Sequence, residues 1–320
     1  MITITVPQEH NGKKLDRFLT ERFENLPLSA IYKALRKKDI RINNIKINEN
    51  RILQAGDRLT IYIKDEILYG LDSPDKTASA DEIPFEIIYE DTHLLLINKH
   101  PGISVHPDKD TNKDTLIDLA IRYISEKKTY EYPSSESFLP ALCHRLDHYT
   151  GGIVIIAKTS QALKIMLDKI KNREIKKYYQ CLVKGHPSPL QAELKHFLVK
   201  NEIKSCVYIH DTPQKGGLTA ITRYKTIQPG DEISRLEVEL ITGRTHQIRA
   251  HLAYIGHPIL GDDKYGDRQL NKQYGVKHQC LWAYKVLFDF KGEAGILDYL
   301  KGKVFETKNI KFPVKNINLL

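Results

Sequence analysis

The chain has 320 residues, 49 of them Lys or Arg against 40 Asp or Glu, for a formal net charge of +9. That length accommodates roughly two or three domains, and the positive excess suits a polyanion held through phosphate contacts and counterion release. The sequence has no apolar run of the roughly 18 residues a membrane span needs, and its start lacks the basic-then-apolar pattern of a signal peptide.

Residues 12–66 read as a compact unit. Leu15, Phe18, Leu19 and Phe23 recur at helical spacing, Leu26-Pro27-Leu28-Ser29 interrupts them, and Ser29 stands where it can cap a second helix. In that helix Ile31, Ala34 and Leu35 form the apolar stripe. Lys33, Arg36, Lys37 and Lys38 occupy the rest of its surface, and Arg41 follows at once. Short segments at 41–44 and 50–55 and the turn Gly56-Asp57 lead into an alternating strand over 58–63. A helix with one apolar and one basic face suits phosphate contacts, which position RNA without reading its sequence. On charge alone it is equally a solvated surface. Residues 67–82 carry Ser, Asp, Gly and Pro without a period and are expected to be a linker, a mobile tether for the small unit.

Beyond it, 84–91 and 94–98 predict two strands ahead of the break at Lys99-His100-Pro101-Gly102. Residues 115–124 predict a helix with Leu116, Leu119, Ala120 and Tyr123 on one side, and polar residues 125–137 a loop. The strand from Ile153 to Ala157 is wholly apolar, which implies burial on both faces. A helix from Ser160 is expected to turn Leu163, Met166, Leu167 and Ile170 inward. Strands follow at 179–185 and 236–240, with a short helix over 247–255. Hairpin-connected strands with a few helices predict an α+β domain over 83–320, built on a mixed, mostly antiparallel sheet with flanking helices. No glycine-rich phosphate cradle opens a helix, so no nucleotide cofactor is expected.

The chemistry concentrates at His144-Arg145-Leu146-Asp147, followed by Thr150-Gly151-Gly152 and the apolar strand. It offers one carboxylate, Asp147, between polar residues and a buried strand, although an Asp before a turn is commonly a cap or turn former. His144, His246, His251 and His257 fall on different elements without metal-ligand spacing, so no metal is expected. Cys143, Cys181, Cys206 and Cys280 follow neither metal-site nor disulfide spacing, which predicts free thiols in a reducing cytoplasm.

Over most of residues 84–290 the chain resembles the RluA-type family of RNA pseudouridine synthases, which includes the bacterial large-subunit rRNA uridine modifiers. Tyr89-Glu90-Asp91, Ile97-Asn98-Lys99 and Pro101-Gly102 resemble its opening motif, with His100 where proline is usual. His144 to Asp147 resembles its catalytic signature, with Gly151 where serine is common. Lys177-Tyr178-Tyr179 before Gly185 resembles its tyrosine motif. Thr242-Gly243-Arg244-Thr245-His246-Gln247-Ile248-Arg249, with His251 and Gly256-His257-Pro258-Ile259, resembles its third. Leu281, before Trp282-Ala283-Tyr284, matches the apolar residue beneath the target base. The order of elements in the small unit, from Lys14-Leu15-Asp16-Arg17-Phe18-Leu19 through Arg41-Ile42-Asn43 to Gly56-Asp57, resembles the S4 RNA-binding module.

This resemblance implies a division into an S4-like α/β RNA-binding domain at 1–66, a linker at 67–82 and a catalytic domain at 83–320. It implies isomerisation of uridine to pseudouridine: the C1′–N1 bond breaks, the base rotates and rejoins through C5, and no cofactor takes part. It assigns Asp147 as nucleophile, Arg249 as its basic partner and Tyr179 to the base, with Leu281 as an apolar wall. Arg145 is assigned to base flipping, with His144 and Arg244 as further substrate contacts. RNA-binding residues would be Lys33, Arg36, Lys37, Lys38 and Arg41. The implied partner is large-subunit (23S-like) ribosomal RNA ahead of transfer RNA, for a cytoplasmic monomer without membrane contact. Two rival readings differ in kind. A noncatalytic RNA-binding ribosome-associated factor has no use for a carboxylate matched to a tyrosine and an arginine. A glycoside hydrolase needs a second carboxylate, and Glu237 and Glu239 lie on an alternating strand without a recognisable pairing to Asp147.

Overall fold

The computed structural model describes residues 1–23, 26, 28–63, 68, 85–106, 115–126, 138, 140–202, 204–308, 310–312 and 314. Apart from Leu68, the expected linker at 67–82 lies outside the described residues, as does most of the loop expected at 125–137.

Alternating short strands make the first sheet: β1 (Ile2–Thr5), β2 (Ile40–Ile42), β3 (Ile45–Ile47) and β4 (Arg58–Ile61). They lie antiparallel in the order β1-β4-β2-β3. The β2–β3 connection is Asn43-Asn44, both left-handed at φ 50° and 67°, the two-residue hairpin geometry that asparagine tolerates. Helices α1 (Leu15–Arg22) and α2 (Leu28–Lys37) bring Leu15, Phe18, Leu19, Ile31 and Leu35 into one buried cluster with Ile40, Leu59 and Ile61. β1 pairs with β4, so residues 2–5 join the unit read over 12–66. One boundary differs from expectation: α2 begins at Leu28, so Ser29 lies inside its first turn.

The second sheet has eleven strands. In chain order they are β5 (Phe85–Glu90), β6 (Leu94–Lys99), β7 (Ala141–Leu142), β8 (Gly151–Ala157), β9 (Ile175–Lys184), β10 (Gln191–Asn201), β11 (Cys206–His210), β12 (Leu218–Gln228), β13 (Ile233–Leu240), β14 (Leu281–Phe288) and β15 (Val304–Glu306). The path runs β11-β10-β12-β13-β9-β14-β8-β6-β5, with β7 on β8 and β15 on β14. Among the described strands only β8 and β14 pair in parallel, so the sheet is mixed and mostly antiparallel.

Burial of β8 on both faces follows from its composition. Val154 and Ile156 join the cluster on one side of the sheet, and Ile153, Ile155 and Ala157 the cluster on the other. On β6, Leu95 and Ile97 alternate with Leu94 and Leu96 in the same way. Helices α3 (Leu116–Glu126), α4 (Ser160–Lys171), α5 (Gln247–Tyr254) and α6 (Arg268–Gln273) complete the domain. On α4 the inward face holds Ala162, Met166 and Lys169, while Leu167 is 48 % exposed. The lysine goes inside because its ammonium finds Glu174 at 2.9 Å and the Phe290 ring. Among the described residues no helix is long and apolar enough to cross a membrane, and all four cysteines are free thiols.

Candidate active site

The loop from β7 to β8 crosses the end of β6, where Lys99 fastens it. Lys99 is fully buried and donates to the carbonyls of His100, Ile103 and His148, each at 3.0 Å. Three acceptors use the three protons of an ammonium. Burial pulls this group down to about 7, and the charge of Asp147 resists that pull. The Gly102 N–H also donates to the His148 carbonyl, and the Thr150 N–H closes the turn on the carbonyl of Asp147 at 3.1 Å. His144 is turned into the protein wall. Its Nε2 accepts the Ile155 N–H at 3.2 Å, and burial drives its pKa down to about 3, so it is a neutral strut.

α5 supplies the opposing group. Arg249 is 4 % exposed and forks onto Asp262, Nε to Oδ2 at 2.7 Å and Nη2 to Oδ1 at 2.9 Å. Nη2 also reaches Asp263 at 3.0 Å, and Nη1 donates to Asp147 Oδ2 at 3.0 Å. Burial alone would lower the guanidinium pKa; the hydrogen bonds and charge of Asp262, helped by Asp147, raise it instead. Arg249 is therefore a fixed cation aimed at one carboxylate oxygen of Asp147.

The turn before α5 is held by Gln247, whose amide uses its full capacity. Nε2 donates to the Ile221 carbonyl and Thr222 Oγ1, and Oε1 accepts from Thr242 Oγ1 and the Arg244 N–H. His246 occupies the left-handed region at φ 52°. The Val207 N–H donates to the Tyr265 hydroxyl oxygen at 2.8 Å, and the same hydroxyl is hydrogen-bonded to His246 Nδ1 at 3.0 Å. The other ring nitrogen, Nε2, lies 4.0 Å from Asp147 Oδ2.

These groups open on a cavity of about 450 Å³ lined by His144, Arg145, Asp147, Tyr179, Arg244, Arg249 and Leu281, among others. The cavity thus gathers the seven residues expected to act on substrate. Asp147 is 22 % exposed there. Tyr179 is buried, and its hydroxyl pKa is raised by burial and by the charge of Asp147. Leu281 is buried at the wall. Arg145 and Arg244 are exposed, and Arg244 Nε donates to the Thr219 carbonyl at 3.3 Å. Among the cavity residues the acid is Asp147 alone, against Arg145, Lys171, Arg173, Lys177, Arg244 and Arg249.

The basic face of α2 is less uniform than its sequence. Lys37 and Lys38 are exposed and Lys33 is half-buried. Arg41 lies over the Tyr62 ring at 5.0 Å. Arg36 turns away from this face: its guanidinium pairs with Asp118 of α3, a side chain 1 % exposed that also accepts from Thr115.

Sequence reasoning missed Asp262, Asp263, His246, Gln247 and Tyr265. The two aspartates follow Gly261 in a turn whose sequence carries no period. Gln247 and His246 sit inside a recognisable motif, but their partners on β12 and at Tyr265 are distant in the chain.

Residues 93–254 match the family of RNA pseudouridylate synthases. The Vibrio cholerae ribosomal large subunit pseudouridine synthase C is 31 % identical over 291 residues, covering 89 % of this chain and 88 % of that protein. The protein of the same name from Escherichia coli is 31 % identical over 305 residues, covering 92 % and 90 %. Among solved structures, human RNA pseudouridylate synthase domain containing 4 aligns with a TM-score of 0.55 at 21 % identity, covering 70 % of this chain and 88 % of that one. Human domain containing 1 aligns with a TM-score of 0.53 at 23 % identity, covering 67 % and 83 %. Fold and site therefore define an RNA-modifying isomerase. The chain belongs to the RNA pseudouridylate synthase family.

Proposed function

We propose that this protein converts uridine to pseudouridine in large-subunit ribosomal RNA, with Asp147 as the nucleophile. The observation that carries the reading is the single cavity carboxylate, held by a buried arginine beside a buried tyrosine, in a wall otherwise rich in cations. Asp147 attacks the sugar or the base of a uridine turned out of its stack. The C1′–N1 bond breaks, the ring rotates, C5 bonds to C1′ and the C5 proton leaves. Arg249 keeps the attacking oxygen ionised and aimed, and Leu281 walls the base. Arg145, exposed at the mouth, fills the vacated stack or meets the nucleotide's phosphate; Arg244 and the neutral His144 complete the substrate contacts.

Tyr179 stacks on the uracil. Burial first, and then the charge of Asp147, keep its hydroxyl protonated. To take the C5 proton Tyr179 must first give up its own to solvent, which becomes less costly once Asp147 is consumed in a covalent adduct and its charge is gone. In the same reading residues 1–66 are the S4-like RNA-binding domain, 67–82 the linker and 83–320 the catalytic domain. The protein acts as a cytoplasmic monomer, and Lys33, Lys37, Lys38 and Arg41 contact RNA phosphates.

The names of the bacterial relatives support ribosomal RNA over transfer RNA. Tritium release from transcripts labelled at uridine C5 tests both points. Large-subunit rRNA transcripts should release tritium at discrete uridines while bulk transfer RNA does not. Release from transfer RNA alone would overturn the substrate, and release from neither would overturn the activity.

A further inference from the structure

Lys177 lies on β9 two residues before Tyr179, so the two side chains leave the same face of the strand. Both line the cavity. The Lys177 ammonium makes no hydrogen bond or ion pair among the described residues. Its ammonium is 3.8 Å from where a β-carbon on Gly243 would stand, so the glycine leaves room in front of it. Lys171, the last residue of α4, and Arg173, left-handed at φ 61° in the turn to β9, line the same cavity. Asp147 pairs with Arg249 and forms no ion pair with any of the three. Burial pulls Lys177 down to about 8, the response of an ammonium that lacks a charge partner.

The missing partner must be an anion that arrives with the substrate. Uracil carbonyls are neutral, whereas the RNA backbone carries one formal charge at each phosphate. Tyr179 takes the face of the base, and Lys177 is displaced from it along the strand by roughly 7 Å, two residues of extended chain. That spacing suits a group on the nucleotide's backbone. Resting on the proposed uridine isomerisation, we propose that Lys177, in a cavity that Lys171 and Arg173 also line, receives a backbone phosphate adjoining the target uridine once the base has entered the cavity.

The test pairs Lys177→Met with removal of single phosphate charges. The probe is a synthetic RNA hairpin carrying a uridine that the wild-type protein converts within a large-subunit rRNA transcript. Companion hairpins bear a methylphosphonate immediately 5′ or 3′ to that uridine. Filter binding is read alongside single-turnover pseudouridine formation at saturating RNA. Lys177→Met should weaken binding to the unmodified hairpin about tenfold, as expected for one charge-assisted contact. One of the two methylphosphonates should weaken wild-type binding by a similar factor and abolish the difference between wild type and variant. Lys177→Arg, which keeps the charge, should restore most of the affinity and shows that the position tolerates substitution.

A variant equally impaired on all three hairpins would overturn the phosphate assignment, and so would unaltered binding. A collapsed single-turnover rate at unaltered affinity would place the lysine on the base and overturn it as well. Binding is read independently of turnover. A wild-type protein that binds large-subunit transcripts without forming pseudouridine in them therefore sinks the functional reading, while the same methylphosphonate comparison, run on a hairpin from the bound region, still decides the lysine.

Discussion

At the scale of single residues the site is one carboxylate held by a cation that two further carboxylates keep in place. Asp147→Asn keeps the shape of the group and removes the charge on which the proposed attack depends. Tritium release should fall to background while RNA affinity stays near wild type; retention of a tenth of the rate would remove Asp147 from the chemistry. Tyr179→Phe keeps the stacking ring and loses the hydroxyl. Its single-turnover rate should drop at least about a hundredfold with little change in binding. Asp262→Asn tests the support. Burial pushes the Asp262 carboxyl up, but hydrogen bonds from Arg249, Tyr265 and Lys264 outweigh that and hold it below its usual value. Removing its charge leaves Arg249 with the two lesser partners, Asp147 and Asp263, and should cost about 3 kcal/mol at neutral pH. A carboxyl lowered on folding stabilises above its unfolded pKa near 3.9, and that stabilisation is lost as pH falls through the folded value. Urea unfolding should therefore show the gap between wild type and variant closing as pH falls below about 4. Of these residues Asp147, Tyr179 and Arg249 were legible, because each sits in a recognisable motif. Asp262 was not, because its role depends on a contact with Arg249 that no local pattern announces.

At the scale of elements the site depends on one junction, the short parallel contact of β8 with β14. Gly152 is left-handed at φ 119°, and a β-carbon there would fall 2.2 Å from the Ala283 carbonyl oxygen; at Gly151 it would strike the Trp282 ring. Gly152→Ala should cost at least about 3 kcal/mol in urea unfolding, since backbone strain and a backbone clash act together. Wild-type stability in that variant would mean that the two strands separate easily. The helix at α5 and the buried strand β8 could be read from sequence because motif and apolar run coincide with the elements. α6 could not: Arg268–Gln273 buries no residue and is fixed by the Asp267 side chain accepting two N–H groups. The misplacement of Leu167 has a similar cause. Helical periodicity marks a stripe by hydrophobicity, and here a lysine with a buried acid partner displaced a leucine from it.

At the scale of the whole molecule, the sequence implied an α+β fold but not the strand order, which follows from pairings between distant segments. Nor did it show how the small unit meets the large one. A uniform basic face on α2 is the natural reading of Lys33, Arg36, Lys37 and Lys38, yet Arg36 is taken by Asp118 of α3. One helix thus carries a partner for α3 and, in the proposed function, phosphate contacts for RNA, and substitution can separate the two. Lys37 and Lys38 are exposed, and each phosphate contact they make contributes roughly 0.7 to 0.9 to the slope of log affinity against log salt. Lys37→Gln with Lys38→Gln should flatten that slope by between one and two units, measured by filter binding over a potassium chloride series, and leave the thermal transition in place. Arg36→Gln should do the reverse. The slope should hold, but the variant leaves Asp118, almost wholly buried, without its cation, and unfolding should ease by about 3 kcal/mol. Second-site Asp118→Asn should recover part of that loss, because an amide tolerates the same pocket without a counter-charge. If Arg36→Gln flattens the salt slope and leaves stability unchanged, the arginine is an RNA contact and the pairing with Asp118 does not hold the two units together.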